Sequence, residues 1–362
     1  MMNSKEQHLL TESIDMSRSV LPEYGIEEKM MNVTPFGSGL INHTWKVELP
    51  GREFILQKIN QSVFKNPVHI AENIQRVAEY LQLHYPAYKF IAPITTSGGK
   101  QMYTESSDFY RLFPFERGSH TIDVVENLEQ AFEAAQQFGR FTKLLSGFDA
   151  TKLNITLPYF HDLGMRYEQF LMALKQGNKK RIEETADLAA TLVSHSNIVS
   201  EYKAIKTNPD FKIRATHHDT KISNVLFDEE DRGLCVIDLD TMMPGYFISD
   251  VGDMMRTYLS PVSEEEKDFN KISIRDDIYR AIVRGYYSEM KDELSDTEKK
   301  YFFYAGKFMI YMQAVRFLTD YLNNDVYYGS AYPGHNFVRA GNQVTLLHRL
   351  LEKESDLNIS AF

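Results

Sequence analysis

Cysteine is all but missing from this chain: Cys235 is the only one in 362 residues, so no internal disulfide can form. It stands in the apolar run GLCVID, where a small buried hydrophobe is a simpler assignment than a nucleophile, and a reducing compartment is expected. Long apolar runs are missing as well, none approaching the roughly 18 residues that a membrane span requires. The opening MMNSKEQHLLTESIDMSRS mixes charge into short apolar pieces without the continuous stretch of a secretory signal. Neither a membrane nor export is expected, which leaves the cytoplasm. Dense basic blocks are absent, with 40 basic residues against 50 acidic and a net charge of -10, so nucleic acid is excluded as an expected partner. An acidic chain that handles a polyanionic nucleotide needs metal ions, backbone amides or a few placed cations.

Repeats and low-complexity tracts are lacking too, while 43% of the residues are hydrophobic and 12% aromatic, enough apolar surface to offset chain entropy throughout. The length exceeds what one core usually serves, so either one large domain or two lobes with a cleft between them is expected. Residues 32–59 read as short strands broken by Gly37, Gly39 and the turn PGR, with a hairpin of strands near 41–49 and 53–59. Asn66-Pro67 starts a helix whose Ile70, Ile74, Val77 and Leu81 fall on one stripe before Pro86 ends it. Short strands return up to RLFPF at 111–115. From Asn127 on, apolar residues recur at helical spacing, and helical patterns dominate 165–205, 263–295 and 297–323. The fold class expected is α+β, with a β-rich lobe over 1–113 and a mainly helical lobe over 114–362.

One non-helical island interrupts the second lobe, residues 212–245. Within it THHDTKISN places Asp219 five residues before Asn224, and VIDLD brings Asp238 and Asp240 after one further turn. Phosphoryl transfer asks a protein mainly for positioning and electrostatics: a carboxylate at the attacking hydroxyl, and hard oxygen ligands for magnesium on the nucleotide phosphates. Aspartate and asparagine are the natural suppliers. Asp240 itself is either an outer carboxylate or a solvated acid, and Asp253 with Arg256 reads as an ordinary ion pair at i and i+3.

This arrangement resembles that of the aminoglycoside phosphotransferase and choline kinase superfamily, which has a two-lobed, protein-kinase-like fold. The resemblance is strongest to the N-acetylhexosamine 1-kinases, since GSGLINHTW, RFLTDYLNNDVYY and YPGHNFVR join the two motifs above. It implies that Asp219 is the catalytic base, that Asn224 and Asp238 bind Mg2+, and that Asp250 in SDVGD braces the catalytic loop. His217 is expected to make a structural hydrogen bond, and His218 stands where many relatives have glycine. ATP is the implied phosphoryl donor and a sugar the acceptor, contacted by Asp219, Arg316 and Tyr327.

The nucleotide side departs from the pattern. Gly37, Ser38 and Gly39 suit a loop close to phosphate, or a plain hairpin turn. Where most relatives place a lysine or arginine, FILQKI offers Gln57, and strand neighbours point to opposite faces, so Lys58 cannot share its side. A neutral Gln57–Asn73 pair is expected in place of the usual ion pair. Phe113 and Phe115 are either adenine contacts at a hinge or core. Two rivals stay open: an amino-alcohol kinase with an aromatic cage drawn from VYYGSAYPG, and a catalytically silent nucleotide or sugar sensor. For Arg316, an i+4 pair with Asp320 is the alternative to a substrate contact.

Overall fold

The structure, a computed structural model, describes residues 19–27, 31–37 and 41–358. Its contacts divide the chain into two compact units, one of residues 1–119, 151–157 and 237–243, the other of 120–150, 158–236 and 244–362. Among the described residues no helix is long and apolar enough to cross a membrane.

The first unit is built on an antiparallel sheet of β1 (Asn32–Pro35), β2 (His43–Leu49), β3 (Arg52–Lys58), β4 (Tyr103–Glu105) and β5 (Asp108–Pro114), ordered β1-β2-β3-β5-β4. β2 and β3 form the expected hairpin, with Leu49 opposite Arg52 and Gly51 at φ 80° in the two-residue loop. Glycine takes that left-handed angle without a Cβ penalty. Alternation then sorts the faces: Trp45, Val47 and Leu49 bury on one side of β2 and join Leu56, Leu112, Val20 and Leu21 in a core. Helix α1 (Pro67–His84) starts at the expected proline and buries Ile70, Ile74, Val77 and Leu81.

The second unit is helical: α2 (Leu128–Leu144), α3 (Leu163–Gln176), α4 (Lys179–Glu184), α5 (Ala186–Ser194), α6 (Asn197–Thr207), α7 (Phe247–Tyr258), α8 (Asp276–Met290), α9 (Phe302–Leu322) and α10 (His335–Leu351). α9 is buried almost all round, the mark of a core helix, and packs on α3, α7 and α10. β6 (Arg214–Thr216) leads into the THHDTKISN motif, and β7 (Val225–Phe227) pairs with β8 (Gly233–Val236), the two short runs of the island.

The segment 165–205 is helical as expected, in four helices, the first of which ends where Gly177 packs so closely on Leu322 that a Cβ would lie 2.8 Å from its carbonyl oxygen; one helical expectation is corrected. Over 263–275 the only helix is a short 3-10 turn, Phe269–Lys271, and α8 begins at Asp276. Asn342 donates to the carbonyls of Ser263 and Glu266 there, so tertiary contacts satisfy backbone groups that a helix would have used.

α2 and α8 form the most extensive helix pair of the unit, and they approach through glycines. A Cβ on Gly139 would lie 2.9 Å from the Tyr286 carbonyl, and one on Gly285 would meet the Phe132 carbonyl. Gly285→Ala is expected to cost roughly 1–3 kcal/mol, because backbone rather than a flexible side chain must move. Urea denaturation checks it; an unchanged midpoint would show that the helices can part without cost.

Candidate active site

The loop after β6 is held by α7 from beneath. Asp250, in the first turn of that helix, accepts from the backbone N–H groups of His217 (3.1 Å) and His218 (2.8 Å), and Asp253 accepts from that of Thr220 (2.9 Å). Tyr258 donates to the Thr220 carbonyl at 2.7 Å. One helix thus fixes the three residues that flank Asp219, and Asp219 is displayed among them with its side chain 23% exposed. Asp253 with Arg256 is more than an ordinary pair: Asp253 is buried, Arg256 is nearly so, and Arg256 also reaches Glu264 at 2.8 Å.

Asp219 and Asn224 come together. The Asn224 amide donates to the Asp219 backbone carbonyl at 2.8 Å and to its Oδ2 at 3.0 Å, while the Lys221 ammonium lies 3.2 Å from Oδ1. Burial pushes the Asp219 carboxyl up, but Lys221, His217 and Arg256 outweigh it and hold the group below the usual carboxylate range. It is ionised at neutral pH and able to accept a proton. Lys221, two residues along the same motif, adds a cation to the expected set, and its place beside Asp219 is legible in the sequence.

His217 is buried, receives the Asp219 N–H on Nδ1 at 3.3 Å and packs its ring on Phe138. His218 adopts φ 66°, the left-handed angle that explains a glycine at this position, and a non-glycine residue there costs on the order of 1–2 kcal/mol. Its ring bonds the Thr216 carbonyl and leans on His161 at 5.1 Å. Burial, then His218, push the His161 imidazole well down, so it stays uncharged.

In the first unit the expected Gln57–Asn73 pair does not form. Asn73 instead ties down the carbonyls of Asn154 and Met242, and the Gln57 Oε1 accepts from Arg111 at 2.8 and 3.0 Å. Arg111, opposite Gln57 on the neighbouring strand β5, is the cation that meets it, and no reading of β3 alone could supply it. It meets Asp240 at 2.5 Å, which also receives Asn42 at 2.7 Å, so Asp240 is a buried, doubly bonded carboxylate and not a solvated one. Lys58, on the opposite face, pairs with Asp108 at 2.9 Å. Phe113 and Phe115 alternate with buried Leu112 and are half-buried, Phe113 under Arg111 and Phe115 under Lys46. Gly37 takes φ 79°; Ser38 and Gly39 lie outside the described residues. Asp238, at φ 58°, opens the turn Leu239–Thr241 that Asp240 anchors.

A third feature lies in the second unit, a cavity of about 370 Å3 between α3 and α9. Arg316 enters it with Nη2 3.4 Å from the Tyr327 hydroxyl and Nη1 3.2 Å from Gln313, so these two expected substrate contacts do meet. The i+4 pair with Asp320 does not form, because Asp320 accepts from the backbone N–H groups of Tyr327 and Tyr328 and from Asn336.

Residues 32–280 match the model of the phosphotransferase enzyme family, APH. The fold is similar to that of an aminoglycoside phosphotransferase from Alicyclobacillus acidocaldarius (TM-score 0.60, 13% identity, covering 93% of this chain and 96% of that one). It is also similar to a microcompartment-associated aminopropanol kinase (0.58, 14%, 96% and 100%) and to choline kinase from Cryptosporidium parvum (0.57, 12%, 97% and 98%). The chain belongs to the phosphotransferase enzyme family, with the kinase-like α+β fold. It is a small-molecule kinase.

Arg111→Met should destabilise the protein by roughly 3–5 kcal/mol, since it strands the Asp240 charge, while the Arg111→Met/Asp240→Leu double variant recovers much of the loss. Denaturant unfolding of all four species measures the coupling; additive losses would mean that the pair is not interacting. A second expectation concerns pH. Burial pushes the Asp250 carboxyl up to about 7 against its two backbone hydrogen bonds, so it holds its proton more tightly folded than unfolded. Its contribution is full below the unfolded value of 3.8 and is lost as pH rises through about 7. Stability followed from one unit below that value to one unit above should fall more steeply in the native protein than in Asp250→Asn; equal slopes would remove Asp250 as the titrating group.

Proposed function

We propose that this kinase moves the γ-phosphoryl group of ATP to the anomeric hydroxyl of an N-acetylhexosamine, giving a sugar 1-phosphate and ADP. The hydroxyl oxygen attacks γ-phosphorus, the bond to the β-phosphate oxygen breaks, and Asp219 orients the hydroxyl and takes its proton. The ionised state of Asp219 and its exposure within a rigid loop support that role. Nucleotide binding is assigned to residues 1–113, with the loop of Gly37, Ser38 and Gly39 at the phosphates and Phe113 and Phe115 at the base. Gln57 is given the part of orienting Arg111. Catalysis and acceptor binding fall to residues 114–362.

Magnesium held on nucleotide phosphates needs only one or two protein oxygens. Among the described residues no three His, Cys, Asp or Glu side chains form a cage, which is compatible with such a shared ion. Asn224 and Asp238 would hold it: Asn224 commits its amide nitrogen to Asp219, leaving Oδ1 as a hard acceptor, and Asp238 brings a carboxylate. When bound, the ion neutralises charge on the phosphates.

The observation that carries the sugar reading is the meeting of Arg316 and Tyr327 over the cavity, connected to the catalytic loop. Arg316 lies 5.3 Å from the Phe160 ring, Phe160 stacks on His161, and His161 touches His218, the neighbour of Asp219. The likeness to choline and aminopropanol kinases favours an amino-alcohol acceptor instead. Against it, Phe160, Tyr327 and Tyr328, the rings that could surround an ammonium, already surround the Arg316 guanidinium.

ADP release from ATP over N-acetylglucosamine, N-acetylgalactosamine, choline, aminopropanol and an aminoglycoside is the test, with the product position read by phosphorus NMR. The N-acetylhexosamines should be the substrates, phosphorylated at carbon 1; ADP release with choline or aminopropanol alone would replace this reading. Asp219→Asn should keep ATP binding and lose at least about 100-fold in turnover. Near-native turnover would remove Asp219 from the mechanism.

A further inference from the structure

The cavity between α3 and α9 holds a second guanidinium that nothing above uses. Arg166, in the first turn of α3, lines it together with Arg316, Gln169, Asp320, Tyr327 and Tyr328. Among the described residues its only side-chain hydrogen bond goes to the neutral amide oxygen of Gln169 at 3.2 Å, and its buried Nε has no partner there. Arg316 likewise bonds only the neutral groups of Gln313 and Tyr327. Asp320 is the one acid among the residues lining the cavity, and its oxygens are committed to the backbone of Tyr327 and Tyr328 and to Asn336. Two cations therefore share a small cavity with no carboxylate bonded to either.

Such an arrangement is costly unless something completes it, because a sheltered charge without an acceptor loses its hydration and gains nothing in return. Burial first, and then the repulsion of Arg316, lower the proton affinity of Arg166, although a guanidinium stays charged. Oxygen acceptors on a ligand would satisfy both groups through charge-assisted hydrogen bonds, whereas an ammonium would be repelled. We infer that Arg166 is a second acceptor-binding residue, and that with Arg316 it selects uncharged or acidic oxygen-rich acceptors and turns cationic ones away. This rests on the reading of the cavity as the acceptor site.

Arg166→Gln keeps length and hydrogen bonding while removing the charge. In steady-state assays, N-acetylglucosamine is set against glucosamine, the same ring with an ammonium in place of the acetamide. The native enzyme should strongly prefer the acetylated sugar. The variant should raise its KM about tenfold, leave the KM for ATP unchanged, and narrow the kcat/KM ratio between the two sugars by about tenfold, as for one lost charged contact. Its thermal unfolding midpoint should match or exceed the native one, since an unpaired cation is removed; a merely structural arginine would lower it. Unchanged KM and selectivity in a folded variant overturn the inference while leaving the sugar reading intact. Should no hexosamine be phosphorylated, the sugar reading falls, and the same variant is assayed on whichever acceptor of the panel releases ADP. A neutral or acidic acceptor whose KM rises in the variant still supports the role of Arg166, and a preferred cationic acceptor overturns it.

Discussion

The buried ion pair of Arg111 and Asp240 constrains the first unit more than any other polar contact described. A guanidinium on a central strand faces a carboxylate on the short turn at 239–241, both almost wholly excluded from water. Such a pair gains little net stability from its attraction, because both charges were solvated in the unfolded chain. Its value is positional: with Gln57 and Asn42 completing the hydrogen bonds, the turn has one acceptable place against the sheet. Asp238, held at a left-handed backbone angle two residues earlier, depends on that anchorage. A strained aspartate persists only where its surroundings over-determine it.

The second unit applies the same device to the loop at 217–220. Asp250 and Asp253 turn carboxylates toward backbone N–H groups of the loop, so its shape is set by α7 and not by the loop's own propensities. His218 shows what this rigidity allows. It keeps an angle that glycine would take freely, and its ring fills the space beside Gly245, where a Cβ would lie 2.5 Å from Nε2. The imidazole then leans on His161, whose ring stacks on Phe160 beside Arg316, a contact that glycine could not make.

Charge distribution separates the two halves of the proposed reaction. The cations described here are individually placed, in keeping with a chain that is acidic overall. Arg111 is neutralised by its partner, Lys221 and Arg256 hold Asp219 ionised, and Arg166 and Arg316 bond neutral groups alone among the described residues. In the proposed acceptor cavity, that pair would make charge, more than shape, the first filter on what enters.

Sequence by itself determined the elements whose signals are local. The hairpin at PGR, the helix begun by Asn66-Pro67, the helical run from Asn127 and the spacing of Asp219 to Asn224 all follow from turn chemistry, periodicity and short range. Strand parity also put Gln57 and Lys58 on opposite faces. What the local pattern could not determine was which polar groups meet: Arg111 finds Asp240 across 129 positions, Asn73 finds Met242 across 169, and Arg166 and Arg316 share a cavity from different helices. The segment 263–275 has helical periodicity yet gives its backbone acceptors to Asn342, and Asp320 leaves its i+4 arginine for a turn that lies after the helix. Hydrophobic spacing decides what each segment can bury. Which charge lies beside which is decided only when the segments pack, because a buried polar group takes whichever partner the tertiary fold brings within hydrogen-bond reach.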